Sequence, residues 1–182
     1  MRPGRRTLPA GVSRGRDVRV ARGARMQIAP GGRLVLGDGC RVLTATRIVV
    51  APGATVELGA DAVLGERCTL VAHAGVTVGA GAQLGDGVVI VDFDHVFEDV
   101  ERPIREQRLQ ATPVTVGDGA RIGLGASILR GVAVGAHATV DPRAVVTRDV
   151  PAGAHVGGVP AKPVAPAREE GELEPPPPRT HP

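Results

Sequence analysis

The sequence predicts an all-β protein, a parallel β-helix of hexapeptide repeats, and three observations support this prediction. An aliphatic residue occupies every sixth position of one long stretch: Val116, Ile122, Ile128, Val134, Val140 and Val146. A second ladder of smaller residues follows four positions later: Ala120, Ala126, Val132, Ala138, Ala144 and Val150. Glycine directly follows three of the aliphatics, at Gly117, Gly123 and Gly135. A period of six fits neither a helix nor an ordinary alternating strand, and it is typical of coils made of three short strands and three turns.

Composition agrees with such a solenoid. The chain has 182 residues, enough for one domain, and aromatic residues make up 1% of it, with no Trp or Tyr. A core of large rings is therefore excluded, whereas a hydrophobic content of 42% is ample for a narrow column of Val, Ile, Leu and Ala. The 26 glycines suit tight turns and the close approach of neighbouring coils.

The repeats begin faintly near Val18 and then form three earlier runs. Their aliphatic positions are Leu36, Val42, Ile48, Leu58, Leu64, Leu70, Val76, Val78, Leu84 and Ile90. The register slips by two residues near Val50 and again between Val76 and Val78. We expect these slips in turns, which face solvent and tolerate extra residues.

The hexads stop after Ile90 and resume only at Val116. Insertions into a solenoid commonly project as loops on the binding face, so we expect a functional loop over about 96–113. Phe93 and Phe97 lie at its base, where they either pin the loop or wall a pocket.

The predicted organisation has four parts besides this loop. Residues 1–16 form a flexible basic arm, 17–164 the β-helix domain, about 151–164 its cap, and 165–182 a disordered Pro-rich tail. The arm has no aromatic residues interleaved for base stacking, so we expect a solvated arm and no nucleic-acid partner. Cys40 and Cys68 fall in the slot of the small residues and are expected to be buried thiols. We expect no membrane span and no signal peptide, and therefore a cytoplasmic protein.

The hexads, the Asp94-His95 pair before the insertion and the ending VVTRDVPAGAHVGGVPAKPV together resemble the hexapeptide-repeat acyltransferases. That family includes galactoside, maltose and xenobiotic acetyltransferases and the O-acetyltransferases of bacterial polysaccharides. The resemblance covers about residues 30–163. It implies left-handed coils, a homotrimer, and an acyl-CoA site in the groove between neighbouring subunits.

The resemblance also implies roles for single residues. His95 matches the family's general base, since a neutral imidazole can take the acceptor's proton near neutral pH. A backbone carbonyl, or the carboxylate of Asp92 or Asp94, is expected to fix its tautomer. The expected acceptor-binding residues are Asp92, Asp94, His73, Arg102 and Gln107. The expected coenzyme A contacts are Gly123, Thr147, Arg148 and Lys162, whose cations would meet phosphate groups.

These observations favour an acetyl-CoA-dependent O-acetyltransferase that acts on a sugar or glycan precursor by direct transfer, without a metal. N-acetylation of an amino sugar is a close variant. One alternative is a non-catalytic trimeric scaffold. Another is a γ-class carbonic anhydrase, which needs three metal-binding histidines, two of them closely spaced; His73, His95 and His137 are too widely spaced to supply that pair.

Overall fold

The computed structural model describes residues 10–95 and 108–164, and within these ranges all regular structure is β. Three parallel sheets, here called walls A, B and C, enclose a solenoid of six coils, because each coil contributes one strand to each wall. The prediction of an all-β parallel solenoid is confirmed. No helical segment of the described residues has the length and hydropathy of a membrane span.

Each wall contains every third strand of the repeat region. Wall A consists of β1 (Val12–Arg14), β4 (Arg33–Leu36), β7 (Thr55–Leu58), β10 (Gly75–Val78), β15 (Val114–Val116) and β18 (Ala133–Val134). Wall B consists of β2 (Arg19–Val20), β5 (Arg41–Val42), β8 (Val63–Leu64), β11 (Gln83–Leu84), β16 (Arg121–Ile122), β19 (Thr139–Val140), β21 (His155–Gly157) and β22 (Lys162–Pro163). Wall C consists of β3 (Arg25–Ile28), β6 (Arg47–Val50), β9 (Thr69–Ala72), β12 (Val89–Val91), β17 (Ser127–Ile128) and β20 (Val145–Val146).

The inward-facing aliphatics stack in register from coil to coil. Val116 pairs with Val134, and Ile122 pairs with Val140, so each aliphatic covers the one before it. Both ladders read from the sequence are buried: the aliphatic ladder and the smaller ladder lie within one hydrophobic cluster. The strict period of six thus identifies the core directly, because strand position fixes which side chain points inward.

The early coils are longer than the late ones. Leu34 pairs with Val56, 22 positions later, whereas Val116 pairs with Val134, 18 positions later. The extra residues lie in four-residue strands, each with two buried side chains, such as Ile48 and Val50 of β6. The expectation that the register slips lie in turns is therefore wrong. A strand repeats its facing every two residues, so a two-residue step lengthens the strand and leaves the inward face unchanged.

The structure also refines the ends of the solenoid and of the insertion. β1 pairs with β4, so the first coil begins at Val12, inside the segment expected to be a flexible arm. A single aliphatic residue in a three-residue strand is too weak a pattern to detect in sequence.

At the insertion, β13 (Phe93–His95) and β14 (Leu109–Ala111) form an antiparallel ribbon. The start of the predicted arm, the middle of the loop and the predicted tail lie outside the described residues.

Past Pro151 the chain first continues the solenoid and then reverses. β21 extends wall B in parallel with β19, and β22 returns antiparallel to β21 after a cis peptide bond between Val159 and Pro160. The last turn of the core, at Val156, is covered by this returning segment.

Three core positions carry a polar atom in the small-residue slot. Cys40 and Cys68 are buried free thiols, and burial raises the pKa of Cys40 to about 11 and raises the pKa of Cys68. Cys68 Sγ lies 3.1 Å from the carbonyl oxygen of Gly85, and buried Thr46 donates to the carbonyl oxygen of Gly65 at 2.7 Å. The polar atoms of Thr46 and Cys68 are thus satisfied by backbone carbonyls, which lowers the cost of burying them.

Candidate functional site

One edge of the solenoid brings together most of the predicted site. Each coil passes from wall C to wall A at this edge, here called the CA edge, and in the last four coils its described residues are 73–74, 92–95 with 108–113, 129–132 and 147–149. His73, His95 and Arg148 therefore lie along one line of the molecule. Since neighbouring coils are about 4.8 Å apart, Arg148 is two coils, or about 10 Å, beyond the level of the insertion.

His95 ends the strand that opens the insertion. Its position is fixed by the β13–β14 ribbon, in which His95 pairs with Leu109. The residue is half-buried, and its Nδ1 atom is buried with no hydrogen-bond partner among the described residues. The other ring nitrogen, Nε2, is not among the buried atoms that lack a partner.

Neither aspartate next to His95 holds its imidazole. Asp94 is exposed, and its Oδ1 accepts the backbone N–H of His95 at 2.8 Å instead. The carboxylate of Asp92 is buried against the 73–75 turn of the preceding coil and is bonded there to backbone N–H groups. The expectation that Asp92 or Asp94 fixes the tautomer of His95 is thus wrong for this structure, whereas an acceptor contact by exposed Asp94 stays a prediction.

Asp92 is fully buried and is used by the fold. Its Oδ1 accepts the backbone N–H of His73 at 2.8 Å, and its Oδ2 accepts those of Ala74 at 2.7 Å and Gly75 at 2.6 Å. These three bonds hold the turn of the preceding coil. The predicted contact between Asp92 and the acceptor therefore has to be corrected, because both carboxylate oxygens are occupied away from solvent.

Three aromatic rings form a row next to that turn. The ring of His73 lies 4.4 Å from the ring of Phe93 with a tilt of 52°, and Phe93 lies 6.2 Å from the ring of His95 with an interplanar angle of 78°. These distances are in the range of favourable aromatic pairs. Phe93 therefore lies between the two imidazoles, and both of its expected roles, pinning the loop or walling a pocket, stay predictions; Phe97 lies outside the described residues.

The predicted coenzyme A residues fall on two edges. Thr147 and Arg148 are exposed on the CA edge. Gly123 lies at the edge between walls B and C, and Lys162 lies on the exposed strand β22 of wall B. Within one chain, these two pairs are not brought together. Arg102 and Gln107, both expected to contact the acceptor, lie outside the described residues.

Gly123 lies where two neighbouring coils approach closely, as the sequence predicted for the glycines. A Cβ atom there would collide with the backbone of Asp141 and Pro142 in the next coil. It also borders a groove of about 550 Å³ along wall B, lined by outward-facing residues such as Arg121 and Leu124. At the end of this groove, Nε2 of His155 donates to Asp141 at 2.6 Å, a pair that the sequence did not indicate.

Comparison with known proteins supports the assignment of the repeat. The family model described as the hexapeptide repeat of succinyl-transferase matches residues 55–91 and 113–148, the two sides of the insertion. The chain therefore carries hexapeptide repeats on both sides of the insertion. The matched residues include the buried strands on both sides of the CA edge, and the first matched block ends with β12, before the insertion.

Curated relatives of this hexapeptide-repeat protein are acetyltransferases by name. A probable acetyltransferase of Mycobacterium tuberculosis is 30% identical over 108 residues, which cover 59% of this chain and 36% of the relative. A 2,3,4,5-tetrahydropyridine-2,6-dicarboxylate N-acetyltransferase of Staphylococcus aureus is 52% identical over 59 residues, which cover 32% of this chain and 25% of the relative. The chain thus spans about a third or less of the length of these relatives.

Solved structures share the fold over most of the chain. The N-acyltransferase AntD of Bacillus cereus, in complex with dTDP and 3-hydroxybutyryl-CoA, has a TM-score of 0.64 at 13% identity and covers 85% of this chain and 79% of its own. The polySia-specific acetyltransferase NeuO has a TM-score of 0.59 at 19% identity and covers 91% of this chain and 93% of its own. At these identities the likeness extends to the architecture of the hexapeptide-repeat protein alone.

The described part of this hexapeptide-repeat protein has two imidazoles and an arginine on one edge, and no cluster of ligands for a metal. Three or more His, Cys, Asp or Glu side chains do not converge anywhere within residues 10–95 and 108–164. His95 and His73 stand on either side of Phe93, and the cation of Arg148 lies on the same edge. This arrangement suits proton transfer beside an anionic ligand.

Proposed function

We propose that this protein is an acyl-CoA-dependent acyltransferase that transfers an acetyl group to a hydroxyl of a sugar or glycan precursor, with His95 as the general base. The observation that carries the proposal is the position of His95. Its imidazole stands at the base of the single insertion among the described coils, on the edge that also carries Thr147 and Arg148. The names of the relatives and structural neighbours support the same reaction class.

The proposed chemistry is a direct transfer. The acceptor oxygen attacks the acyl carbon of the thioester while its proton passes to Nε2 of His95, and the carbon–sulfur bond breaks as the carbon–oxygen bond is completed. The proton then passes from Nε2 to the sulfur of coenzyme A. For Nε2 to act as the base, Nδ1 must carry the other ring proton. Nδ1 is the buried nitrogen, which leaves Nε2 as the atom able to meet the acceptor.

The co-substrate is proposed to lie along the CA edge. Arg148 would meet its phosphate groups through charge-assisted hydrogen bonds, with Thr147 beside it. Gly123 and Lys162 lie on another part of the same chain, so a site that uses all four residues requires a second copy. This division supports the proposal of a homotrimer whose sites lie between subunits. With acyl-CoA as the co-substrate, the proposed location of the activity is the cytoplasm.

The decisive experiment compares two histidine variants. Purified wild-type protein is incubated with acetyl-CoA and a panel of sugars and amino sugars, and release of the coenzyme A thiol is followed. His95→Asn is expected to lower turnover by about 100-fold or more, the usual contribution of a general base. His137→Asn is the matched control, because His137 lies in a turn of another edge with a φ of 58°, which Asn tolerates. Equal turnover by wild type and His95→Asn would remove His95 from the mechanism.

The same assay separates the alternatives. Transfer to amino sugars but not to neutral sugars would replace O-acetylation with N-acylation, the reaction named for AntD. A scaffold predicts no saturable binding of coenzyme A in a calorimeter, whereas an acyltransferase predicts saturation. Absence of such binding would overturn the proposed function.

A further inference from the structure

Asp92 differs from the other aspartates that connect neighbouring coils. Several exposed aspartates each accept one backbone N–H from the preceding coil: Asp38 from Arg16, Asp118 from Ala80 and Asp149 from Ala133, all at 2.8 Å. Asp92 accepts three such bonds and is fully buried, as no other charged residue of the described ranges is. A buried carboxylate is tolerated only when its oxygens are satisfied, so this turn is held more firmly than the others.

The backbone of Asp92 adds further connections. Its carbonyl oxygen accepts the N–H of Thr112 at 2.8 Å, and the carbonyl oxygen of Thr112 accepts the N–H of Gly131 at 3.0 Å. Thr112 is the residue where the insertion returns to the solenoid, and Gly131 belongs to the next coil. Asp92 therefore connects the preceding coil, both ends of the insertion and, through Thr112, the following coil.

These connections meet at the row of three rings formed by His73, Phe93 and His95. The turn that the carboxylate holds places His73 against Phe93, at 4.4 Å between ring centroids. Phe93 is the next residue after Asp92, and its other side faces His95. Asp92 thus sets where the strand of His95 starts. It also sets which ring this strand packs against, because it holds the turn that carries His73.

We infer that Asp92 is a positioning residue for the reaction, and that it acts on His95 through the 73–75 turn and the ring of Phe93. The inference rests on the proposed function, in which His95 is the base. Asp92 touches neither the acceptor nor the co-substrate, because its carboxylate is buried in the turn. Its effect is to keep the imidazole in the orientation that accepts the proton, and such positioning strongly influences rate.

The test uses Asp92→Asn with Asp118→Asn as the matched control. Each variant replaces a carboxylate that bonds the backbone of the preceding coil, but Asp118 lies on the edge between walls A and B. In Asp92→Asn, the amide NH₂ faces at least one N–H donor, so at least one of the three bonds is lost. We expect kcat to fall about 10-fold or more with the KM for acetyl-CoA unchanged within about twofold, and Asp118→Asn to keep the wild-type kcat.

Two further measurements distinguish positioning from loss of fold. Phe93→Leu removes the ring but keeps an apolar side chain, and it is expected to lower kcat, as Asp92→Asn does. The double variant should lose less than the product of the two single losses, because both act on one path. A wild-type kcat in either Asp92→Asn or Phe93→Leu, or losses that multiply, would overturn the inference. If Asp92→Asn does not fold, the kcat of Phe93→Leu decides.

The inference can also be tested apart from the proposed function. The ring proton of His95, assigned by its disappearance in His95→Asn, is titrated by NMR in wild type, Asp92→Asn and Asp118→Asn. A shifted titration midpoint in Asp92→Asn alone supports positioning, and identical midpoints in all three overturn it. If Asp92→Asn shows this shift but the wild-type protein transfers no acyl group, the proposed function is removed and the structural link between Asp92 and His95 remains.

Discussion

The rings of His73 and Phe93 lie 4.4 Å apart, although the two residues are 20 positions apart in the sequence. This contact joins a turn of one coil to the strand that opens the insertion of the next. It is possible because Asp92 bonds that turn through three backbone N–H groups. The position of the candidate base thus depends on the coil before the insertion as well as on the insertion itself.

Shortening a side chain of the core column should lower the free energy of unfolding far more than shortening an outward-facing neighbour. Leu70 and Val71 are neighbours in β9, with Leu70 fully buried and Val71 facing outward. Leu70→Ala is expected to lower the free energy of unfolding by about 2–5 kcal/mol, since it leaves a cavity in a stacked column. Val71→Ala should cost about 1 kcal/mol or less. Urea unfolding followed by circular dichroism measures both, and equal costs would contradict the assigned facing.

The glycines that separate coils should not accept a methyl group. In Gly123→Ala the new Cβ collides with backbone atoms of Asp141 and Pro142, which have no flexible side chain to move aside. Gly53→Ala is the control, because Gly53 has no neighbour within 4 Å and only a left-handed φ of 76° to oppose alanine. We expect about 1 kcal/mol of destabilisation for Gly53→Ala and a clearly larger loss for Gly123→Ala, read from thermal unfolding. A fully stable Gly123→Ala would show that the coils can separate locally.

The buried thiols should make the protein less stable at high pH. Burial raises the pKa of Cys40 to about 11 and also raises that of Cys68, whereas unfolded thiols ionise near 8.5. Below about pH 8.5 the full stability is present. As the pH rises towards 11 the unfolded state loses protons that the folded state keeps, so the free energy of unfolding falls, by about 2 kcal/mol at pH 10 for Cys40.

The chain allows a clean measurement of this effect, because it has no Tyr and its only Lys is Lys162. Urea unfolding at pH 8 and pH 10 should show the decrease in wild type. The double variant Cys40→Ala and Cys68→Ala keeps small residues in the same slots and should lose most of the difference. An unchanged pH dependence in the double variant would assign the effect to other groups.

Arg148 should contribute to binding the phosphate groups of the co-substrate and not to the acyl-transfer step. Arg148→Gln is expected to raise the KM for acetyl-CoA about 3- to 10-fold, as for an exposed charge-assisted contact, and to leave kcat nearly unchanged. With acetyl-pantetheine, which lacks the nucleotide phosphates, the variant and wild type should be equal. Arg33→Gln, on an early strand of wall A, is the control. A similar KM increase with both acyl donors would contradict a phosphate contact.

The architecture was predictable because burial in this fold follows from position alone. A residue such as Ile122 lies in a short strand whose next neighbour on the same wall is fixed by the repeat, so the period identifies both the column and its stacking. The start at Val12 escaped detection, since one aliphatic residue sets no period. The location of the register slips did as well, because a two-residue step has the same phase in a turn and in a strand.

The candidate site was predictable only in part. The sequence indicated His95 by its place before the insertion and named His73 as a second site residue, and both rings contact Phe93. It did not indicate that Asp92 is buried, because hydrogen bonds to backbone N–H groups one coil away leave no pattern in side-chain chemistry. Nor did it show that Gly123 and Arg148 lie on different edges, which requires knowing the length of every coil.

The unequal lengths of the coils show how a solenoid of this kind can gain residues within a coil. Walls A and C accept additional residues only as dipeptides, as the paired side chains Ile48 and Val50 illustrate. A single added residue would turn every later side chain of that strand towards solvent. Natural length variation among close homologues of this chain should therefore be even-numbered within strands, and odd-numbered changes should be confined to the edges.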